Sequence, residues 1–233
     1  MKRLHFIVEG QTEKAFVTDV LFPHFSRYDV VCDARLVASS RDRALGRAFK
    51  GGVLAYARLR SELLRQMRND PREDSFFTTM FDYYGLPSDF PGRAEGIGDP
   101  RESVRKIESA FLADVETAFP DWDARRHFAP NIVCHEFEML LFADLDRLLD
   151  VYPNHGGEVA ELKRQLRQFC DDPELVNTSV QTAPSMRIVA EIADYDKVVA
   201  GDLVTQAIGL PTLRQRCLHF NEWISGLEEL LHV

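Results

Sequence analysis

Apolar and polar residues along the chain alternate in two periods. Residues 3–9, containing Leu4, Phe6, Ile7 and Val8, form a short β-branched and aromatic run that predicts a buried strand. After it, Phe16, Val20 and Leu21 fall at helical spacing, with Thr12 placed to cap that helix. Residues 29–38 (DVVCDARLVA) predict a second strand. Residues 52–68 predict a helix with Tyr56, Leu59, Leu63 and Met67 on one side, and 75–82 (SFFTTMFD) a third strand. The Gly- and Pro-rich residues 83–99 can continue neither element. A long ordered loop directly after a strand often carries function. A helix over 101–118, a short strand over 131–134 (NIVC) and an amphipathic helix in HEFEMLLFADLDRLLD follow. Beyond residue 156 only helical patterns remain, at about 157–170, 184–194, 201–208 and 211–231.

Strands alternating with helices up to residue 150 predict an α/β domain, a mainly parallel sheet flanked by helices. Residues 151–233 then form a helical C-terminal extension packed on it. In parallel sheets ligands sit at the carboxyl ends of the strands. Glu9 ends the first strand, Asp82 ends the third and Glu136 follows the fourth. Each acid alone reads as an ordinary surface charge or turn cap. Together they occupy matching places on successive strands, and convergence at one sheet edge would make a site for a hard divalent ion, Mg²⁺ or Mn²⁺. Glu13, four residues after Glu9, falls in the first helical turn, and Gly10 between them permits a close approach to phosphate. Lys14 is within reach of the same group.

Composition narrows the class. The 233 residues carry a net charge of −9, with 45% hydrophobic and 28% charged residues. That is ordinary globular composition, long enough for a substantial core. An acidic chain is a poor constitutive nucleic-acid binder, but a metal-binding carboxylate cluster is itself acidic. No apolar run reaches the roughly 20 residues of a membrane span, and the N-terminus meets Glu9 too early for a signal peptide. A cytoplasmic protein without membrane attachment is expected. The four cysteines form no CxxC pair, so buried or partly buried thiols are expected rather than a zinc ribbon.

The block VEGQTE around Glu9 resembles the first motif of the Toprim domain, and its E-x3-E spacing is closest to the OLD-type nucleases (overcoming lysogenization defect). FDYYGLPSDFPG, HEFEMLLFAD and TAPSMRI, in that order, further resemble a bacterial family of Toprim-like proteins of unknown function, over residues 4 to about 225. The resemblance implies a Toprim-like sheet and a metal-dependent nuclease acting on DNA or RNA, in a phage-defence setting beside an ATPase partner. It leaves homodimerisation open. Glu9 would correspond to the Toprim glutamate, a metal ligand, and Asp82 to the first Asp of the D-x-D motif. The second Asp is missing, because position 84 is Tyr84. Glu136 is the candidate to replace it, with Glu138 and Asp144 behind it. In a regular helix Glu136 and Glu138 would lie about 200° apart, so Glu138 is expected to face His135 rather than the same metal.

Tyr83 and Tyr84 read as loop packing or as a stacking surface for bases. His135 reads as a structural hydrogen-bonder and a weaker acid/base candidate. Residues 41–68 hold eight basic residues (Arg41, Arg43, Arg47, Lys50, Arg58, Arg60, Arg65, Arg68) against Asp42 and Glu62. Arg58, Arg65 and Arg68 lie opposite the apolar stripe. They read as a solvated face or as a phosphate-backbone strip. Lys197 and Arg187 are placed to line the site from outside the sheet. The missing second Asp also allows a non-catalytic Toprim-like binding or scaffold module. No P-loop or dinucleotide motif follows a strand.

Overall fold

A computed structural model of the chain describes residues 1–37, 56–70, 72–93, 98–177 and 179–233. Arg41, Arg43, Arg47 and Lys50 lie outside them. At the centre is strand β1 (Arg3–Val8), whose apolar residues are buried on both faces, as a parallel strand covered by helices requires. β2 (Val31–Leu36) and β3 (Ser75–Asp82) flank it in parallel, with Val8 level with Leu36 and Met80. The far edge is formed by β4 (Phe128–Ala129) and β5 (Ile132–Val133), both parallel to β3, giving the order β2-β1-β3-β4 with β5 also on β3. The expected fourth strand is therefore present but split. Pro130 has no N–H for the ladder. Instead the Thr79 hydroxyl accepts from Asn131 N (2.9 Å) and donates to Asn131 O (3.0 Å).

Helix α1 (Gln11–Phe16) passes through a π-turn (Val17–Leu21) into α2 (Phe22–Ser26). Pro23 lacks the N–H that a regular α-helix would donate to Asp19 at this point. The N-cap of α1 is Gly10, in extended backbone, and not Thr12. α3 (Tyr56–Arg68) returns from the carboxyl edge, and α4 (Pro100–Ala118) crosses from β3 to β4. The C-terminal part adds α5 (Gly156–Arg167), α6 (Pro184–Glu191), α7 (Lys197–Ile208), α8 (Leu210–Arg216) and α9 (Leu218–Leu231). A mainly parallel sheet, flanking helices and a helical C-terminal part match the expected α/β class.

Two helical expectations are corrected. The amphipathic helix after β5 is two 3₁₀ segments, Phe137–Ala143 and Leu145–Asp150. Every residue of the first is buried, so it is a core segment without a polar face. The long helix over 211–231 breaks at Cys217, which is extended. The cause is Glu174, whose carboxylate accepts the N–H groups of His219 and Phe220, both at 3.0 Å, and starts α9 afresh. Among the described residues, no helix is long and apolar enough to cross a membrane.

Candidate functional site

The carboxyl ends of β1 and β3 and the chain leaving β5 carry the acids. Glu9 follows β1, beside the end of β3, and its carboxylate lies against Gly85. A Cβ at Gly85 would stand 2.6 Å from Glu9 Oε2. Gly85 closes the 3₁₀ turn Tyr83–Gly85 directly after Asp82. Asp82 Oδ1 accepts the N–H of Phe137 at 2.9 Å, which ties the end of β3 to the chain leaving β5. Glu136, in extended backbone, accepts the N–H of Ser185 through Oε1 at 2.6 Å, at the start of α6. The first turn of α1 holds Glu13, whose Oε2 would lie 2.7 Å from a Cβ on Gly10. Glu9, Glu13, Asp82, Glu136 and Glu138 are all buried.

Lys197, at the start of α7, brings the cation. Its Nζ donates to Glu138 Oε2 at 2.7 Å. Burial works to lower the lysine pKa, but the charges of Asp82, Glu138 and Glu13 outweigh it and raise the value. Glu138 is pushed up to about 7, first by burial and then by the like charges of Glu136 and Asp82, against the lowering pull of Lys197. These mutual effects bring Asp82, Glu136, Glu138 and Lys197 into one electrostatic neighbourhood, with Glu13 acting on Lys197. Glu138 therefore faces Lys197 and not His135, which corrects the angular argument. The angle of about 200° holds only in a regular α-helix, and the backbone here is extended at Glu136 and then 3₁₀.

The other candidates divide. His135 has a left-handed φ of 66°, its Nε2 meets Glu174 O at 3.0 Å, and burial lowers its pKa to about 4. It is a neutral structural residue turned away from the acids. The Tyr84 ring stacks on His135, with centroids 5.8 Å apart, and its hydroxyl accepts from the Asn177 amide. Tyr84 therefore packs the loop, although Glu136 lies close enough to help raise its pKa, after burial and Tyr83. Asp144 caps the second 3₁₀ segment through Asp146 N at 3.2 Å and pairs with Arg147, so its role is structural.

Lys14 is exposed on α1, and Arg58 on α3. Arg65 is bound to Glu62 through two hydrogen bonds of 3.0 and 2.5 Å, and Arg68 lies over the ring of Phe119 at the far end of α4. The end of α4 is the amino edge of the sheet, so the strip runs away from the acids. Arg187 is held by Thr182 O and Gln165.

Sequence reasoning missed Gly85 as the cradle of Glu9. The glycine inside the DYYGLP block was the available signal. The donor set fits a hard cation, since every buried donor is a carboxylate oxygen. Oε1 of Glu138 is also buried with no hydrogen-bond partner among the described residues.

No curated protein and no solved structure matches the chain. A family model described as a domain of unknown function, DUF4276, matches residues 8–228, and so nearly the whole chain belongs to that family.

Proposed function

We propose that the chain is a metal-dependent phosphoryl-transfer enzyme of Toprim type, a nuclease cleaving DNA or RNA. Glu9, Asp82 and Glu136 hold Mg²⁺ or Mn²⁺, with Glu13 and Glu138 beside them. The observation that carries the reading is the set of buried carboxylates at the carboxyl edge of a parallel sheet, with Lys197 among them. A fold gains nothing from burying like charges together, because each is desolvated and repels the others. Such an arrangement is retained where a ligand uses it.

When bound, the divalent ion supplies an activated water and stabilises the leaving oxygen. The chain's own groups orient the ligands. The Phe137 N–H fixes Asp82, the Ser185 N–H fixes Glu136, and Gly85 leaves room for Glu9. Lys197 holds Glu138 and presents positive charge toward an incoming phosphate. Arg58 and Lys14 are exposed and free to meet a phosphate backbone, which supports the choice of a nucleic-acid substrate. An ATPase partner in a phage-defence system is part of the same proposal.

Cleavage of plasmid and single-stranded substrates in Mn²⁺ tests the reading. Glu9→Gln and Asp82→Asn should each lose roughly 100-fold or more in rate, since even outer-shell changes at metal sites cost about 10–100-fold. Equal cleavage by wild type and Glu9→Gln sinks the assignment. One observation favours a second reading, a non-catalytic binding module: the place of the second D-x-D aspartate is taken by Tyr84, whose hydroxyl is engaged by Asn177. Absence of Mn²⁺ binding at millimolar concentration, measured by calorimetry, would select that reading.

A further inference from the structure

Outside the carboxylate cluster, three side chains of different chemistry meet in the core. Cys134 follows β5, Glu174 sits in the 3₁₀ turn Pro173–Leu175, and His219 lies in the first turn of α9. One ligand atom of each falls within 4.8 Å of the other two, and all three residues are buried. We propose that Cys134, Glu174 and His219 bind one borderline-soft divalent ion of the Zn²⁺ class.

Donor type, charge and outer contacts support the site together. Thiolate, carboxylate and imidazole form a Zn²⁺ donor set, whereas Mg²⁺ and Mn²⁺ favour oxygen. One thiolate and one carboxylate neutralise the two positive charges, so the loaded site buries no net charge. The Nε2 of His219 lies 3.0 and 3.2 Å from Oε1 and Oε2 of Glu108, and Oε1 also accepts Ile132 N at 2.8 Å. A carboxylate on one ring nitrogen, leaving the other for the ion, is the outer-shell pattern of histidine ligands in metal sites. Glu174 is fixed by the N–H groups of His219 and Phe220. Arg101 lies 3.7 Å from Glu174 Oε2 and is itself paired with Asp99 and Asp172.

The ion would clamp the end of β5, the 173–175 turn and the start of α9. His135 separates this site from the carboxylate cluster, since its ring turns to Glu174 O while Glu136 beside it turns to Ser185. The inference is independent of the proposed nuclease chemistry.

The test is cobalt and zinc uptake by the 233-residue chain after dialysis against a chelator. Wild type should bind Co²⁺ with a thiolate-to-cobalt charge-transfer band whose intensity corresponds to one thiolate-bound ion per chain, since Co²⁺ on an all-carboxylate site gives no such band. Zn²⁺ should displace it and raise the melting temperature. Cys134→Ser should lose the band. Glu174→Gln should weaken Zn²⁺ binding at least about 10-fold, and Cys170→Ser, at an exposed thiol outside the cluster, should leave both readouts unchanged. No thiolate band in wild type overturns the site, as does a band that survives Cys134→Ser or disappears in Cys170→Ser. If Cys134→Ser does not fold, Glu174→Gln decides: unchanged Zn²⁺ affinity there also overturns the proposal.

Discussion

Glu9 and Gly85 form a pair in which the smaller residue governs the larger. The backbone of Gly85 approaches the Glu9 carboxylate so closely that an added methyl would stand 2.6 Å from Oε2 and 3.1 Å from Oε1. Gly85→Ala must therefore turn Glu9 away or shift the 83–85 turn. We expect Mn²⁺ affinity to fall about 10–100-fold, comparable to an outer-shell lesion, with little change in melting temperature. Calorimetric titration checks it, and unchanged affinity would mean that the Glu9 position is not set by this contact.

Glu138 adds a pH dependence. Its ordinary value of 4.5 is raised to about 7, chiefly by burial. Between those values the folded chain keeps a proton that the unfolded chain has released. Stability from this group is thus fully present below pH 4.5 and is lost as pH rises through 7, by up to ~3 kcal/mol. Glu138→Gln cannot lose it. In chelated buffer, the urea midpoint of wild type should decline relative to the Gln variant across that window, and Mn²⁺ should restore it. A constant difference between the two proteins at every pH would mean that burial does not raise the Glu138 pKa in the folded chain.

At the scale of elements, α7 is what turns a sheet edge into a closed site. It lies against α1 because Gly201 lets the two approach: a Cβ there would stand 2.8 Å from Thr12 Cγ2 and 3.1 Å from the Phe137 ring. Lys197 sits four residues earlier, one helical turn away, so this contact sets where its amine arrives. Gly201→Val should cost about 1–3 kcal/mol by overpacking and should also weaken the Lys197–Glu138 contact. Denaturant melts read the first effect. The pH profile of the variant reads the second, because Glu138 without its cation should titrate higher still.

The elements that carried a clean period were legible in the sequence. β1, β3 and α4 fall within a residue or two of their expected bounds, because each holds a regular apolar pattern with a definite stop. Asp82 and Glu136 could be placed on the carboxyl edge by that reasoning alone. Lys197 could be named but its partner could not, since α7 reaches the site only through a glycine contact distant in sequence. The stretch 137–150 misled because a fully buried 3₁₀ segment and an amphipathic helix share a high apolar content, and Asp144 interrupts it with non-helical backbone. The Cys134–Glu174–His219 cluster was invisible for the same reason as Lys197. Its members are some 40 residues apart, and the CxxC criterion looks only at near neighbours.

At the scale of the whole molecule, the division at residue 150 marks a change of pattern and not a seam in the core. α9 buries Phe220, Trp223, Ile224, Leu227 and Leu231. The Trp223 indole N–H donates to Thr78 Oγ1 of β3 at 2.8 Å, and its ring meets Phe6 of β1 edge-on at 6.2 Å. Phe220 packs near Phe16 of α1, with centroids 6.1 Å apart. The Lys2 amine donates to the carbonyl of Leu231, which ties the two ends of the chain together. Removing residues 151–233 would expose a face of β1 and β3 whose residues are now buried, and would strip Glu138 of its only cation among the described contacts. Each large apolar side chain returned to water costs about 1.5–3 kcal/mol, against a total stability of about 5–15 kcal/mol for a domain. Phe6, Phe16 and the neighbouring core residues together exceed that margin. The fragment 1–150 is therefore expected to be aggregated or molten, without near-ultraviolet circular dichroism, whereas the full chain should unfold in one transition. Trp122, beside β3, and Trp223, in α9, report on the two parts separately. Coincident melts of Trp122→Phe and Trp223→Phe proteins followed by fluorescence would establish a single cooperative unit. Two separated transitions, or a folded 1–150 fragment, would show instead that the sheet carries its own core and that the C-terminal helices are an added layer.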